Sequence, residues 1–254
     1  MSNFRRSEAT FTCLAILFCV NLVLTNILAV KIFDVPYFHV ALSGGDLLYP
    51  LSFLIMDIIT EIWGKQRASF VVYAGFFTCL FMLIVVQICL QLTPHPYWVS
   101  PGNTFGFTSP KHYQNAFASV FHVGGFLVLA SSVAYLTSQL MDITLFHFFK
   151  KLTHGKHLWL RNNGSTILSQ MVDSIIFTSI YFFFGIGLEL SACVQMFLYM
   201  YGFKVFFALI DTPFCYAGIA LINHLNDCEA SRLFFRESGA DQSAYRPFLR
   251  RHNP

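Results

Sequence analysis

Charged side chains are scarce in this sequence. Asp, Glu, Lys and Arg make up 11% of its 254 residues, whereas a soluble domain contains about 25%. Hydrophobic residues reach 56%, and the mean hydropathy is +0.58. This deficit of charge excludes an ordinary soluble domain and predicts that most of the chain lies in a lipid bilayer. The formal net charge of only +3 gives no indication of a nucleic-acid partner.

Motifs of catalysis and nucleotide hydrolysis are also missing. The chain contains no P-loop, no GxSxG and no HExxH sequence, so it does not hydrolyse ATP by itself. Its nine histidines and seven cysteines show no metal-ligand spacing, and we interpret the cysteines as reduced packing residues. We therefore expect no cofactor and no metal site. A membrane-embedded enzyme would need a nucleophile or a metal set that the sequence does not offer.

Long apolar runs, in contrast, are abundant. Six of them are close to the ~20 residues that a helix needs to cross ~30 Å of hydrocarbon. They cover residues 11–30, 47–63, 70–92, 118–141, 166–188 and 193–222. The fourth run is expected to continue as helix toward Phe149, and residues 93–115, with four prolines, are expected to form a loop. The sequence thus predicts an all-α membrane protein, with six transmembrane helices in one bundle and one domain over residues 1–254.

Basic residues indicate how this bundle is oriented. Thirteen of the sixteen Lys and Arg residues fall before the first run, between the second and third, between the fourth and fifth, or after the last. The opposite side has only Lys31 and Lys111, and Lys204 lies inside a run. The positive-inside rule therefore places both termini in the cytoplasm, which agrees with an even number of spans.

A few charged residues fall inside the apolar runs, where a charge costs about 2.5–3.5 kcal/mol on insertion scales. Asp57 and Glu61 share one helix face because they are four residues apart. Asp173 and Lys204 lie well inside the fifth and sixth runs. Such groups usually face a polar cavity or one another, so they are candidate substrate ligands. Structural alternatives exist: an interfacial pair of Glu61 with Lys65, and a pair of Lys204 with Asp173 or Asp57.

Weaker candidates lie beside these charges. Gln170 is one turn before Asp173, and Asn26 in the first run is either a ligand or an interhelical hydrogen-bonding group. For Asp142, the structural alternative to a role in binding is an ion pair with Lys150 or Lys151. Asp211 lies deep in the sixth run, near Pro213, which is expected to open the helix there. The predicted substrate-binding set is Asn26, Asp57, Glu61, Gln170, Asp173 and Lys204.

Several short segments together resemble the queuosine precursor transporter family, also called the vitamin-uptake transporter family. They are residues 25–31 (TNILAVK), Tyr49-Pro50 with Asp57, Thr60-Glu61 and Gly64, Gln139 with Asp142, residues 159–162 (WLRN), Ser169-Gln170 with Asp173, and Lys204 with Thr212-Pro213 and Tyr216. The resemblance implies a six-span inner-membrane importer of a 7-deazapurine: the nitrile or aminomethyl precursor base, or queuine. It implies a nucleobase-like substrate and no enzyme activity.

The candidate residues suit such a base chemically. A carboxylate accepts from its ring N–H and exocyclic amine, and Lys204 or an amide donates to its carbonyl oxygen. Phe53, Phe177 and Tyr181 are candidates for stacking on the ring. The alternative function is the substrate-binding subunit of a multi-component ATP-driven vitamin importer. The sequence leaves open a homo-oligomer, an energising ATPase module and the coupling ion.

Overall fold

The computed structural model describes residues 2–29, 31–35, 40–98, 106–107, 109–121, 125–154 and 157–238. In these ranges the chain is almost entirely helical, which confirms the predicted class. The helices are α1 Ser2–Leu28, α2 Tyr49–Gln91, α3 Pro110–Phe121, α4 Gly125–Leu152, α5 Leu158–Phe177 and α6 Leu190–Ser238. A short antiparallel hairpin of β1 Ile32–Val35 and β2 Val40–Ser43, with Ile32 opposite Ser43, was not predicted.

Two glycines allow this hairpin to pack closely against α1. The backbone N–H of Gly44 donates to the carbonyl of Lys31 at 2.7 Å. A Cβ at Gly44 would lie 2.6 Å from the Leu28 carbonyl oxygen, and a Cβ at Gly45 would lie 2.8 Å from that of Thr25. Both close contacts are with backbone, so only glycine allows this approach.

The chain reverses direction inside α2 at Gly64. That residue has φ 80° and ψ 179°, which interrupts the helical ladder. Before it, the segment α2a (residues 49–63) runs antiparallel to α1: Asn21 Nδ2 donates to Ser52 Oγ at 2.6 Å, and Trp63 Nε1 donates to Ser7 Oγ at 3.1 Å.

After Gly64, the segment α2b (residues 65–91) runs parallel to α1. Arg67 pairs with Glu8 at 2.6 Å, and Asn26 Nδ2 contacts Cys79 Sγ at 3.5 Å further along. The two halves therefore correspond to the second and third apolar runs of the sequence.

Four helices of the described chain are long and apolar enough to cross a membrane. They cover Ser7–Leu28, Tyr49–Gln91, Leu158–Ile186 and Leu190–Ile222. An apolar core lies where α1, both halves of α2, and α4 meet. Its buried members are Phe18, Leu22, Ile55, Met56, Ile59, Ala68, Val71, Val72 and Ile143.

The predicted loop at residues 93–115 is wrong at its end, because α3 already begins at Pro110. A proline is tolerated in the first helical turn, where its missing N–H has no partner to lose. The backbone N–H of His112 donates to Ser109 Oγ at 3.3 Å and caps this turn. The fourth apolar run begins in α3 and continues in α4; residues 122–124 lie outside the described ranges. The predicted continuation of helix toward Phe149 is confirmed, since α4 extends to Leu152.

The last two helices are joined by a short turn. A π-helical segment, Thr178–Ile186, extends α5, and Gly187 in the left-handed conformation (φ 76°) ends it. Of the five basic residues after the last apolar run, Arg232 and Arg236 belong to α6, which continues to Ser238. The other three, Arg246, Arg250 and Arg251, lie outside the described ranges.

α6 remains one helix through Pro213. Thr212 Oγ1 and the Asn163 amide of α5 exchange hydrogen bonds of 2.7 and 3.0 Å there, and the backbone N–H of Trp159 donates to Tyr216 Oη at 3.1 Å. These bonds fix the start of α5 against α6. Six cysteines of the described chain have free thiols, as expected: Cys13, Cys19, Cys79, Cys89, Cys193 and Cys215.

Candidate substrate-binding site

One face of α5 is buried and almost wholly polar. Its buried residues are Arg161, Asn162, Asn163, Ser165, Thr166, Ser169, Gln170, Asp173 and Ser174. The spacing of three and four residues puts them on one stripe, which packs mainly against α4 and also against α6. A helix in lipid that turns its polar face inward lines a polar interior. We call the end of the bundle with Lys65, Arg67, Lys150 and Lys151 the basic end, and the opposite end the hairpin end.

The polar layer nearest the hairpin end contains a buried ion pair. Asp173 accepts from Lys204 Nζ through one carboxylate oxygen and from Ser138 Oγ, at 3.0 Å, through the other. The side chains of Lys204 and Asp173 are 9% and 6% exposed. Lys204 Nζ also lies 5.1 Å from the centre of the Tyr49 ring. Lys204 thus pairs with Asp173, which is one of the two partners predicted for it. Together with Ser138, this pair connects α4, α5 and α6.

A second layer contains three buried carboxylates: Asp57 of α2a, Asp142 of α4 and Asp211 of α6, which we call the carboxylate chamber. Asp142 and Asp211 are electrostatic neighbours of Asp57. The suggested pairing of Asp142 with Lys150 or Lys151 is wrong, because its carboxylate accepts from Ser169 Oγ at 3.0 Å. Among the described residues, no Lys or Arg forms an ion pair with any of the three.

A third layer at the basic end is a network around Glu61. Its carboxylate accepts from Arg161 at 2.6 Å and from Lys150 at 3.0 Å. The suggested pairing with Lys65 is wrong, since Gly64 ends the helix between the two residues. Arg161 is buried, and its guanidinium carbon lies 5.7 Å from the centre of the Phe146 ring. This network ties α2a, α4 and α5 together.

Several buried oxygens between these layers have no hydrogen-bond partner within the described part of the chain. They are Gln139 Oε1, Asn162 Oδ1, Thr166 Oγ1, Gln170 Oε1 and Asp211 Oδ2. An unpaired buried polar group costs about 1–3 kcal/mol. A polar ligand or ordered water can supply the missing partners, so these helices face an interior that suits a polar ligand.

Comparison with known proteins agrees with this architecture. Residues 43–218 match the sequence profile of the family described as "Putative vitamin uptake transporter". The chain belongs to this family. It is therefore a transporter and not an enzyme, and a multi-pass bacterial membrane protein.

Three curated relatives carry related names. The "Probable queuosine precursor transporter" of Bacillus subtilis is 29% identical over 201 residues, which cover 79% of this chain and 80% of the relative. The protein of the same name from Haemophilus influenzae is 26% identical over 56% of this chain and 52% of its own length. The "Queuosine precursor transporter" of Escherichia coli is 24% identical over 55% of each. No solved structure matches the chain.

In this transporter the predicted site residues fall into three groups. Asp57, Gln170, Asp173 and Lys204 are buried together in the polar interior. Glu61 belongs to the network at the basic end. Asn26 is exposed on α1, where its amide donates to the Leu22 carbonyl at 2.9 Å, and the fold does not bring it to the other five.

Besides Asp142 and Asp211, which the sequence offered as weaker candidates, the same interior contains Gln139, Asn162 and Thr166, which were not in the predicted set. The sequence contained one signal for two of them. Asn162, Thr166 and Gln170 follow one another at four-residue spacing, so they share a helix face that also includes Asp173 one turn further on. Gln139 stands in a segment that resembles the family, but no spacing marks it as a ligand, because its position depends on how α4 is rotated against α5.

The hairpin end of the site is closed by aromatic side chains. A cavity of about 10 Å³ remains there, lined by Tyr49, Pro50, Phe53, Phe203, Lys204 and Phe207. That volume is about what one water molecule requires, so a base cannot enter without movement of these rings. Phe53 is the stacking candidate at this closure; the other two, Phe177 and Tyr181, lie 5.5 Å apart between their ring centres at the end of α5.

Proposed function

We propose that this transporter imports a queuosine precursor, a 7-deazapurine base, across the bacterial inner membrane. The names of the three relatives support this substrate class. The observation that supports the proposal within the molecule is the set of buried oxygens without partners, because a ligand rich in hydrogen-bond donors would satisfy them.

A 7-deazaguanine meets that demand. Its ring N–H groups and exocyclic amine are donors, and carboxylate, amide and hydroxyl oxygens accept from them. Position 7 is carbon, so no protein donor is needed at that edge. Gln170 Oε1 and Asn162 Oδ1 are accordingly proposed ligands from α5, and Gln139 Oε1 is the proposed ligand from α4.

Asp173 and Lys204 are proposed to bind opposite edges of the base. At present each satisfies the other, together with Ser138. When the base enters, Asp173 accepts from a donor edge and Lys204 donates to the carbonyl oxygen. The two charges stay buried in both states and exchange one hydrogen-bond partner for another, so each keeps a hydrogen bond when the base is bound.

Six membrane crossings with both termini in the cytoplasm are proposed for this chain. The antiparallel halves of α2 support two crossings there rather than one. The basic end, with Lys65, Arg67, Lys150 and Lys151, supports its placement at the cytoplasmic face. The Glu61 network then lies on the cytoplasmic side of the site, and the aromatic closure lies on the outer side.

The direct test is uptake of labelled queuine and of the two precursor bases by cells that lack synthesis and other import routes. We expect at least one base to accumulate when the chain is expressed. Asp173→Asn should reduce uptake by about tenfold or more, because the NH₂ group of the new amide would face an N–H donor of the base and one hydrogen bond would be lost. Glu189→Gln, which changes an exposed carboxylate, is the matched control.

Two results would contradict this function or its site. Failure of all three bases to accumulate, with the protein present in the membrane, refutes the substrate class. Uptake at the wild-type rate by Asp173→Asn removes this residue from the site. An ATPase that co-purifies in a fixed ratio would instead favour the binding subunit of an ATP-driven importer.

A further inference from the structure

Two buried hydroxyl groups of α5 lie beyond the Lys204–Asp173 pair, on the side of the hairpin end. Ser174 is 0% exposed and Thr178 is 6% exposed. Neither Ser174 Oγ nor Thr178 Oγ1 has a hydrogen-bond partner within the described part of the chain. A buried hydroxyl group without a partner is costly, so we expect a ligand or water to satisfy these two.

Hydroxyl groups in helices often satisfy themselves by donating to a carbonyl of the preceding turn. This chain shows that arrangement repeatedly. Hydroxyl groups that donate to the carbonyl three or four residues earlier include those of Thr25, Thr60, Thr78, Ser138, Thr153, Ser165 and Ser169. Ser174 and Thr178 do not form this bond, although their helix offers the same carbonyls. Their hydroxyl groups are therefore left for a partner outside the helix.

The two hydroxyl groups continue a row of polar side chains on α5. Gln170, Ser174 and Thr178 are four residues apart, so they are neighbours on the helix surface. Gln170 is 1% exposed, and its Oε1 atom also lacks a partner among the described residues. At 1.5 Å per residue this hydroxyl row extends over ~12 Å toward the hairpin end. At Thr178 the helix changes to the π form, which often marks functional sites.

Aromatic rings lie at the same end of the bundle. The ammonium group of Lys204 connects α5 with the aromatic closure, because it also lies 5.1 Å from the centre of the Tyr49 ring. On α5 itself, Phe177 and Tyr181 are close in sequence to Thr178, and their ring centres are 5.5 Å apart. Rings can stack on the faces of a planar base while hydroxyl groups bond to its edges, so this combination suits a nucleobase.

We infer that the hydroxyl row lines the outer part of the transport path, an aqueous passage from the hairpin end to the Lys204–Asp173 pair. A hydroxyl group both donates and accepts, so it can bond to the N–H groups and to the carbonyl oxygen of a passing base. Neutral hydroxyl groups bind more weakly than buried charges, which suits a step on the way to the central site. The use of the passage by a 7-deazapurine and its outward direction rest on the proposed function.

The test is the reaction of cysteine variants with MTSET, a water-soluble and membrane-impermeant thiol reagent, in intact cells. Ser174→Cys and Thr178→Cys, made separately in the full chain, should both react, and a transported base in excess should slow the reaction. Ile175→Cys is the matched control, since Ile175 is 47% exposed on the outside of the bundle and a thiol in hydrocarbon should not react. The mass of the purified protein reports the reaction, and the wild type gives the background of the native cysteines.

Transport provides a second measurement. The double variant Ser174→Ala with Thr178→Val removes both hydroxyl groups and leaves Lys204 and Asp173 in place. Its uptake rate should fall about fivefold or more, because the base loses hydrogen bonds on the way in. Equilibrium binding of the base to the purified protein should stay at the wild-type level. A merely structural role of the hydroxyl groups would instead lower binding and uptake together.

Two outcomes overturn the passage: both thiols stay unreactive in variants that size-exclusion chromatography shows to be folded, or Ile175→Cys reacts as fast as they do. Wild-type uptake by the double variant, or an equal loss of binding and uptake, overturns the use of the passage by the base. Because the reaction with MTSET needs no base, reactive thiols without uptake of any 7-deazapurine would refute the proposed substrate and leave the passage standing.

Discussion

The ion pair between Lys204 and Asp173 allows a sharp test of whether these residues serve stability, transport or both. Both side chains are less than a tenth exposed. Lys204→Met leaves the Asp173 carboxylate with Ser138 as its remaining described partner. Removing one partner of a buried pair costs about 3–5 kcal/mol, because the other charge is left uncompensated. At about 2–4 °C per kcal/mol for a chain of this size, Tm should fall by roughly 6–20 °C.

The double variant Asp173→Asn with Lys204→Met removes both charges. The new amide can still accept from Ser138, so we expect most of the lost stability to return and a coupling energy of the order of the single losses. Base uptake should not return, because the edges of the base lose the carboxylate and the ammonium group. The measurements are thermal unfolding of the purified protein and labelled-base uptake, each normalised to the amount of protein in the membrane.

Two results would refute this reasoning. If the loss of stability in the double variant equals the sum of the losses in the two single variants, the two side chains do not stabilise each other. If the double variant regains both stability and uptake, the pair is structural and the substrate binds elsewhere. Glu189→Gln again serves as the control for both assays.

Three further predictions follow from features away from that pair. Arg161→Met should destabilise the protein more than Lys150→Met, because the two side chains bind the same carboxylate but are 5% and 33% exposed; thermal unfolding compares them, and equal losses would contradict the role of burial. Gly44→Ala should lower Tm, because the new Cβ would lie 2.6 Å from backbone. Gly202→Ala is the control and should not lower Tm, because a Cβ there has nothing within 4 Å. Similar effects of the two changes would show that the hairpin does not need its close contact with α1. A cysteine at position 109 should react with an impermeant maleimide in intact cells, and labelling only after permeabilisation would reverse the proposed topology.

The membrane class and the four buried polar residues were predictable because both depend on sequence spacing. Asp57, Gln170, Asp173 and Lys204 stand in apolar runs, and groups that polar are costly in contact with lipid, so they turn inward. Asn26 stands in such a run but is exposed, because its amide donates to the Leu22 carbonyl of its own helix. The helical content follows in the same way, because backbone in hydrocarbon has to satisfy its own hydrogen bonds.

The choice of partners was not predictable from local spacing. Glu61 and Lys65 are four residues apart, but Gly64 adopts a positive φ between them and the expected helix-face pair does not form. Glu61 instead finds Arg161, a hundred residues away along the chain. The partner of Lys204 likewise depends on the rotation of α6 against α5, and apolar runs on both sides give no information about that angle.

The polar stripe of α5 also has a consequence for biogenesis. The stripe lies in the segment Leu158–Ile186, which is the least apolar of the four membrane-crossing candidates. Its mean hydropathy is 1.5, whereas the other three have values of 1.9–2.4. Nine of its residues, Arg161 through Ser174, become buried only when neighbouring helices cover them. The segment therefore has a weak signal of its own for release from the translocon into lipid. We therefore expect α5 to leave the translocon only when α4 is already beside it, so that the side chains that suit a ligand also influence the order of membrane assembly.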